Sequence, residues 1–256
     1  MPRRSGRSAR RDRFSIGRSW KRITDSRRAS SWTKLIREIT VAAKAGGGDP
    51  GSNARLRKAI DDAKAANMPG DNIDRAVKKG TGELEGVSYE EVTYEGYGAG
   101  GVAILIEGST DNANRTVADI RHAFSRNSGN LGTSNSVSWM FEKKGQIFFP
   151  TSVGAEDKVM EDALDAGASD FEVDGEYYVV STEPHDFHAV TEALAKKKYV
   201  AESSELAMVP KNLVKLEMAE AQKVLKLVEL LEELDDVSKV FTTLDLDALD
   251  LEEAGA

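Results

Sequence analysis

Cysteine is absent from the 256-residue chain, so no disulfide framework, thiol nucleophile or thiolate metal site is available to it. A reducing compartment fits that absence. No apolar run approaches the roughly 18 residues that a membrane-spanning helix needs. Histidine is scarce too, with three residues in all. His185 and His188 stand three apart and His122 shares a helix face with Asp119. Two histidines at that spacing can face one metal, but a third ligand at convincing spacing is missing, and solvated helix-start side chains are the plainer reading. No serine lies in a G-x-S-x-G elbow and no lysine in a phosphate loop. The run Gly96-Tyr97-Gly98-Ala99-Gly100-Gly101 follows a strand, but a second strand comes after it where a dinucleotide fold needs a helix. Its expected job is to supply positive φ in a strand connection. The acidic pairs Asp61-Asp62, Glu90-Glu91 and Asp235-Asp236 are adjacent and diverge in regular structure. Catalysis is therefore not expected, nor is a cofactor, a metal or a small-molecule substrate.

What the chain does have is charge, unevenly placed. Residues 1–80 carry 21 Lys+Arg against 8 Asp+Glu, whereas the remainder carries 14 against 35. Such asymmetry implies a region that meets a polyanion and a body that repels one, or an acidic protein with a basic leader. Residues 1–31 read as a basic Arg/Ser-rich arm, a composition that an organelle transit peptide shares. Apolar residues at 40% and charged residues at 30% are ordinary for a globular chain and exclude a largely disordered one.

From Trp32 the pattern becomes periodic. Trp32, Leu35, Ile36 and Ile39 fall at i, i+3, i+4 and i+7 and predict a helix that Thr33 caps and Gly46-Gly47-Gly48 stops. Leu56, Ala59, Ile60 and Ala63 mark a second helix, and Ile73 and Val77 a third with Asp71 as its cap. After Gly80 the period shifts towards two. Strands are expected at Tyr89–Glu95 and Val102–Glu107, followed by a helix opened by Asp111 or Asn112. Two strands, Val137–Glu142 and Gln146–Phe149, are expected to join through a Lys143-Lys144-Gly145 turn. A helix near 156–166 leads to a hairpin turning at Asp174-Gly175. Then come a helix near 185–198, strands near 199–209 and 212–217, a helix through Ala221–Leu231, and a strand at 237–243. The fold class is α+β: an N-terminal three-helix domain and two small α/β-layered, ferredoxin-like domains, one inserted in the other.

Lys34, Arg37 and Lys44 on the first helix, Arg55, Arg57, Lys58 and Lys64 on the second, and Arg75, Lys78 and Lys79 on the third occupy the polar sides that these periods leave. Part of this is ordinary complement to helix dipoles. Taken with the arm, it points to contact with nucleic-acid phosphates, which gives affinity without sequence specificity. Lys34, Arg37, Arg55, Arg57, Lys58, Lys64, Arg75, Lys78 and Lys79 are the candidate contacts.

Several segments go further than periodicity. Thr33–Ile39 followed by Gly46–Pro50, Asn53–Arg57, Ala65–Pro69, Asp71–Ile73, Lys79–Gly82, Tyr94–Gly98, Asp111-Asn112 with Asn114–Thr116, Arg121–Phe124, Gly129–Gly132 and Ser136-Val137 resemble the YebC/PmpR family. The resemblance runs from about 32 to 245. Before it, residues 17–23 are only a loose echo of the basic segment with which that family begins. It implies a helical domain ending near 80, a central α+β domain from 81–135 and 205–246, and a third domain at 136–204 inserted between those halves; residues 247–256 are an acidic tail. It also implies a DNA-binding transcriptional regulator. The alternative within the family is a ribosome-associated translation factor that relieves stalling, for example at consecutive prolines, through ribosomal RNA. DNA, ribosomal RNA or both are the expected partners, without a membrane, for a monomer or weak dimer. Cytoplasm is the expected location, with the mitochondrial matrix as alternative.

Overall fold

The structure is a computed structural model and describes residues 32–246. The basic arm and the acidic tail lie outside the described residues. The described chain divides into two units, one of residues 32–140 with 212–244 and one of Phe141–Lys211.

In the first unit the three expected helices form. They are α1 (Trp32–Gly46), α2 (Ala54–Ala65) and α3 (Gly70–Thr81). Their apolar stripes meet in one core of Ile39, Ala42, Ala43, Leu56, Ala59, Ile60, Ala63, Met68, Ile73 and Ala76. Leu56 is fully buried, a burial worth about 1.5–3 kcal/mol. Asn53 sets the turn between α1 and α2. Its Oδ1 accepts the Leu56 N–H at 3.0 Å, capping α2, while its Nδ2 donates to the carbonyls of Ala42 and Gly47 at 2.8 and 2.9 Å. Pro69 rather than Asp71 occupies the cap position of α3, and Asp71 lies in the first turn, where a carboxylate favours the dipole. Thr33 lies inside the first turn of α1 rather than before it.

The crossing of α1 and α3 depends on Gly80. A Cβ there would stand 2.6 Å from Ala43 Cβ and would meet the Thr40 carbonyl as well. Gly80→Ala should therefore destabilise the protein by about 2 kcal/mol, overpacking outweighing the gain in helix propensity. Urea unfolding measures it, and a neutral or stabilising result would contradict this crossing.

The remainder of the first unit is built on four strands, β1 (Glu90–Tyr97), β2 (Ala103–Thr110), β3 (Asn130–Leu131) and β8 (Val237–Thr242). They form one antiparallel sheet in the order β3-β1-β2-β8. The glycine connection of β1 and β2 is a single 3₁₀ turn with Gly100 at φ 63° and Gly101 at φ 77°, as its composition suggests. The helices α4 (Ala113–Arg126) and α7 (Met218–Glu233) pack on each other, and α7 packs on β8. Asn112 caps α4 by accepting the Arg115 N–H at 3.1 Å.

The second unit runs β4 (Phe141–Pro150), α5 (Glu156–Asp165), β5 (Asp170–Asp174), β6 (Tyr177–Thr182), α6 (Phe187–Lys196) and β7 (Ser203–Pro210). Its strand order, β5-β6-β4-β7, is that of a split βαββαβ ferredoxin-like fold. One core joins Ile147, Phe149, Tyr178 and Val180 of the sheet to Val159, Ala163, Val190 and Leu194 of the helices. Lys143-Lys144-Gly145 is not a turn. These residues lie within β4, paired with Met208, Ala207 and Leu206 of β7. Gly145 is there because the Phe187 ring leaves no room, its Cγ being 2.8 Å from where a Cβ would stand. Lys144 is held by Glu183 at 2.7 Å and Glu142 at 3.6 Å. The β5–β6 loop is Gly175-Glu176, one residue beyond the expected turn, with Gly175 at φ 57°. Residues 212–217 make one parallel bridge, Val214 to Leu244, instead of a strand.

Candidate nucleic-acid interface

The nine candidate cations divide into two groups. Three bond to other elements of the first unit. Lys34 donates its ammonium to the carbonyl of Glu232 near the end of α7. Arg37 pairs with Asp236, donates to the Ser109 carbonyl at 3.4 Å, and lies 5.3 Å from the centroid of the Tyr89 ring. Arg55 bridges Glu38 on α1 at 2.7 Å and Glu91 on β1 at 2.8 Å. Hydrogen bonding to Glu38 raises the pKa of this guanidinium further, against an opposing effect of burial. Arg37 and Arg55 thus have carboxylate partners, and the half-buried Lys34 has a neutral backbone acceptor.

The other six stay on the surface. Arg57, Lys58 and Lys64 on α2 and Arg75, Lys78 and Lys79 on α3 are exposed. With Leu56, Ala59, Ile60 and Ala63 inward, the 3.6-residue period puts Arg57 and Lys64 on one flank of α2 and Arg55 on the other, next to α1. Lys58 pairs with Asp62 at 3.3 Å across one turn, an exposed pair worth little. Arg57 donates to the Pro50 carbonyl at 3.2 Å, a neutral acceptor that does not compensate its charge. On α3, Arg75 and Lys78 face away from Ile73 and Ala76.

Asp236 organises the join between α1 and the sheet. Its Oδ1 accepts from Arg37 and its Oδ2 from Thr116 at 2.6 Å, Arg115 at 2.9 Å and Thr110 at 3.3 Å. Burial would raise its pKa, but the hydrogen bonds from Thr116, Arg115 and Arg37 prevail and hold it below the ordinary value. Glu95 on β1 is a second buried carboxylate. It accepts the backbone N–H groups of Asn135, Val137 and Ser138 at 2.7–2.8 Å. Here too burial is outweighed, by the three backbone donors, and the pKa is lowered. Both arrangements are structural, the first tying α1 to the sheet and α4 and the second holding the loop at 132–138.

Lys44 and the connector from Gly82 to Tyr89 are not among the nine sequence candidates. Lys44 Nζ donates to Ser88 Oγ at 2.8 Å and to the Tyr89 carbonyl at 3.1 Å. The only sequence signal is a pair of apolar residues, Leu84 and Val87, in an otherwise polar connector. The histidines are all exposed, His185 beside Asp186 at 3.1 Å and His188 beside Glu192 at 3.4 Å. Among the described residues no group of three His, Cys, Asp or Glu could hold a metal ion, and no helix is long and apolar enough to cross a membrane.

This arrangement of a three-helix module, a central sheet and an inserted ferredoxin-like unit is matched in sequence by two family descriptions. Residues 13–83 match the TACO1/YebC protein N-terminal domain, and residues 89–244 match the TACO1/YebC second and third domain. The chain belongs to the TACO1/YebC family. Similarity therefore begins well before residue 32, in the segment whose motif is only a loose echo. A probable transcriptional regulatory protein of Gemmatimonas aurantiaca is 59% identical over 227 residues, covering 89% of this chain and 92% of that one. One from Geobacter sulfurreducens is 52% identical over 242 residues, 94% and 98% of the two chains. Among solved structures, a conserved hypothetical protein of Aquifex aeolicus is similar with a TM-score of 0.76 at 45% identity, covering 86% of this chain and 91% of that one.

Proposed function

We propose that the protein is a non-enzymatic, DNA-binding transcriptional regulator that holds the nucleic-acid backbone with the exposed cations of α2 and α3. The observation that carries this reading is the survival of Arg57, Lys58, Lys64, Arg75, Lys78 and Lys79 at the surface, in a module at the basic end of a chain whose remainder is acidic. The names of the relatives support regulation of transcription.

The exposed cations should report on phosphates rather than on base sequence. Replacing Arg57, Lys64, Arg75 and Lys78 together by Gln should lower affinity for unrelated duplexes alike. The slope of log affinity against log salt should fall by about 0.9 for each phosphate no longer neutralised, about 3 to 4 for the four residues. Arg55→Gln should leave that slope unchanged, since its charge is already matched by Glu38 and Glu91. A fourfold variant with unaltered affinity and slope would overturn this interface.

A second reading, a ribosome-associated translation factor, is favoured by a specific feature. The outer sides of α2 and α3 interleave cations with Asp61, Asp62, Asp71 and Asp74. The carboxylates weaken the field that would wrap a duplex, and recognition of a folded RNA by shape needs no continuous basic face. Co-sedimentation with ribosomes in the presence of excess duplex DNA separates the two. Pelleting despite the DNA favours the ribosome, and retention on the DNA favours the transcriptional role.

A further inference from the structure

The connector from Gly82 to Tyr89 folds back against α1 and α3 and encloses an open cleft of about 320 Å³, within the size of small-ligand sites. Its walls combine two chemistries. Val41, Leu84, Val87 and Tyr89 supply apolar surface, and Leu84 and Val87 are 41% and 52% exposed. Lys44 and Lys79 supply positive charge, against a single lining carboxylate, Glu85. Among the described residues Lys44 is held by neutral acceptors, Ser88 Oγ and the Tyr89 carbonyl, so its charge is not compensated there. The stem of Lys79 runs along Gly86, its Cδ 3.1 Å from where a Cβ at that position would stand. A side chain at 86 would push it aside. Arg37 lies 5.3 Å from the Tyr89 ring centroid and helps to fix that side of the cleft.

We propose that this cleft seats one unpaired nucleotide of a nucleic-acid strand, its base against Leu84, Val87 and Tyr89 and its phosphate between Lys44 and Lys79. Charge complementarity and the apolar wall choose this occupant together. A free anion would leave Leu84 and Val87 wet, and an apolar ligand would leave two ammonium groups idle. A base in a duplex presents only its edge, whereas an unpaired one presents an apolar face. The inference rests on the nucleic-acid reading above and deepens it: the exposed helix cations hold backbone of any kind, and the cleft adds preference for a strand with an unpaired base.

The test compares the full chain with the Leu84→Ser, Val87→Ser double variant and with Lys79→Gln. The probes are a fluorescent single-stranded oligonucleotide and the duplex of the same sequence, at one salt concentration. Both positions of the double variant are solvent-exposed, so it should fold, and an unchanged urea midpoint verifies that. Single-strand affinity is expected to fall about tenfold in the double variant with duplex affinity unchanged. Lys79→Gln should weaken single-strand binding more than duplex binding. Equal single-strand affinity in the double variant and the parent would overturn the proposal. Binding of duplex but not single strand by the parent would also overturn it while leaving the functional reading intact. Binding of neither probe would sink both.

Discussion

Asp236→Ala is expected to lower the stability of the first unit by about 3 to 5 kcal/mol, the range for deleting one partner of a buried ion pair. The side chains of Asp236 and Arg37 are 8% and 11% exposed, so the Arg37 guanidinium would keep its burial and lose its counter-charge. Thr110 and Thr116 would lose an acceptor in the same step. The effect should appear in urea unfolding as a lower midpoint at an unchanged slope. A loss under about 1 kcal/mol would mean that Arg37 finds water or another acceptor, as exposed pairs do.

The same carboxylate gives the stability a pH dependence of definite sign. Its folded pKa lies below its ordinary value of 3.8. The unfolded chain therefore takes up its proton first as pH falls. The contribution is complete above the ordinary value and disappears as pH drops through the lowered folded one. Glu95, also lowered, from 4.5, acts in the same direction. In the second unit Asp162, which accepts from Lys197 at 2.6 Å and Tyr199 at 2.7 Å, does so as well. Stability followed from neutral into acid solution should fall below about pH 4.5, near the ordinary carboxylate values. Asp236→Asn should flatten part of that fall. An unchanged acid limb in the Asn variant would show that Asp236 is not among the groups responsible.

Sequence periodicity finds α1, α2 and α3 because each buries a single stripe, and it finds β1, β2, β7 and β8 to within a few residues. It fails where a local signal competes with a distant one. Lys143-Lys144-Gly145 has the composition of a turn, yet eight residues of β7 pair along β4 and hold it extended. The glycine answers to the ring of Phe187, on a helix two strands later in the chain. The partners of the candidate cations are hidden in the same manner. A helical period separates the polar side of α1 from its apolar side, but it cannot say that Asp236, 199 positions later, sits opposite Arg37. Nor can it say that Glu38 and Glu91 converge on Arg55 from two other elements. Arg57, Lys64, Arg75 and Lys78 stay exposed on their helices, so for them local pattern and final position coincide. The cleft at 82–89 is hidden for a further reason. A connector without period carries no pattern for its apolar residues to interrupt.

Glu95→Ala should cost about 3 to 4 kcal/mol, because it orphans three N–H groups at once, each worth about 1–3 kcal/mol when buried and partly recovered where water enters. Most of that loss should be felt locally. The segment from Gly132 to Ser138 has almost no regular structure of its own. It hangs on the sheet through the Glu95 carboxylate, the Glu95 carbonyl that accepts the Gly132 N–H at 2.7 Å, and the Tyr97 hydroxyl that donates to the Ser136 carbonyl at 2.8 Å. Asn135 adopts φ 65° within it, a conformation that needs support. Gln is a poor substitute at this site, because its NH₂ would face donors where the carboxylate offered a second oxygen. Glu95→Gln should therefore recover less than half of the loss. Amide exchange distinguishes a local from a global effect. Fast exchange confined to residues 135–138, with α1–α3 still protected, is the outcome that a locally anchored loop requires. Uniform acceleration across the unit would mean that Glu95 supports the sheet as a whole, and unaltered exchange at 135–138 would mean that the loop is held by Tyr97 and its own backbone.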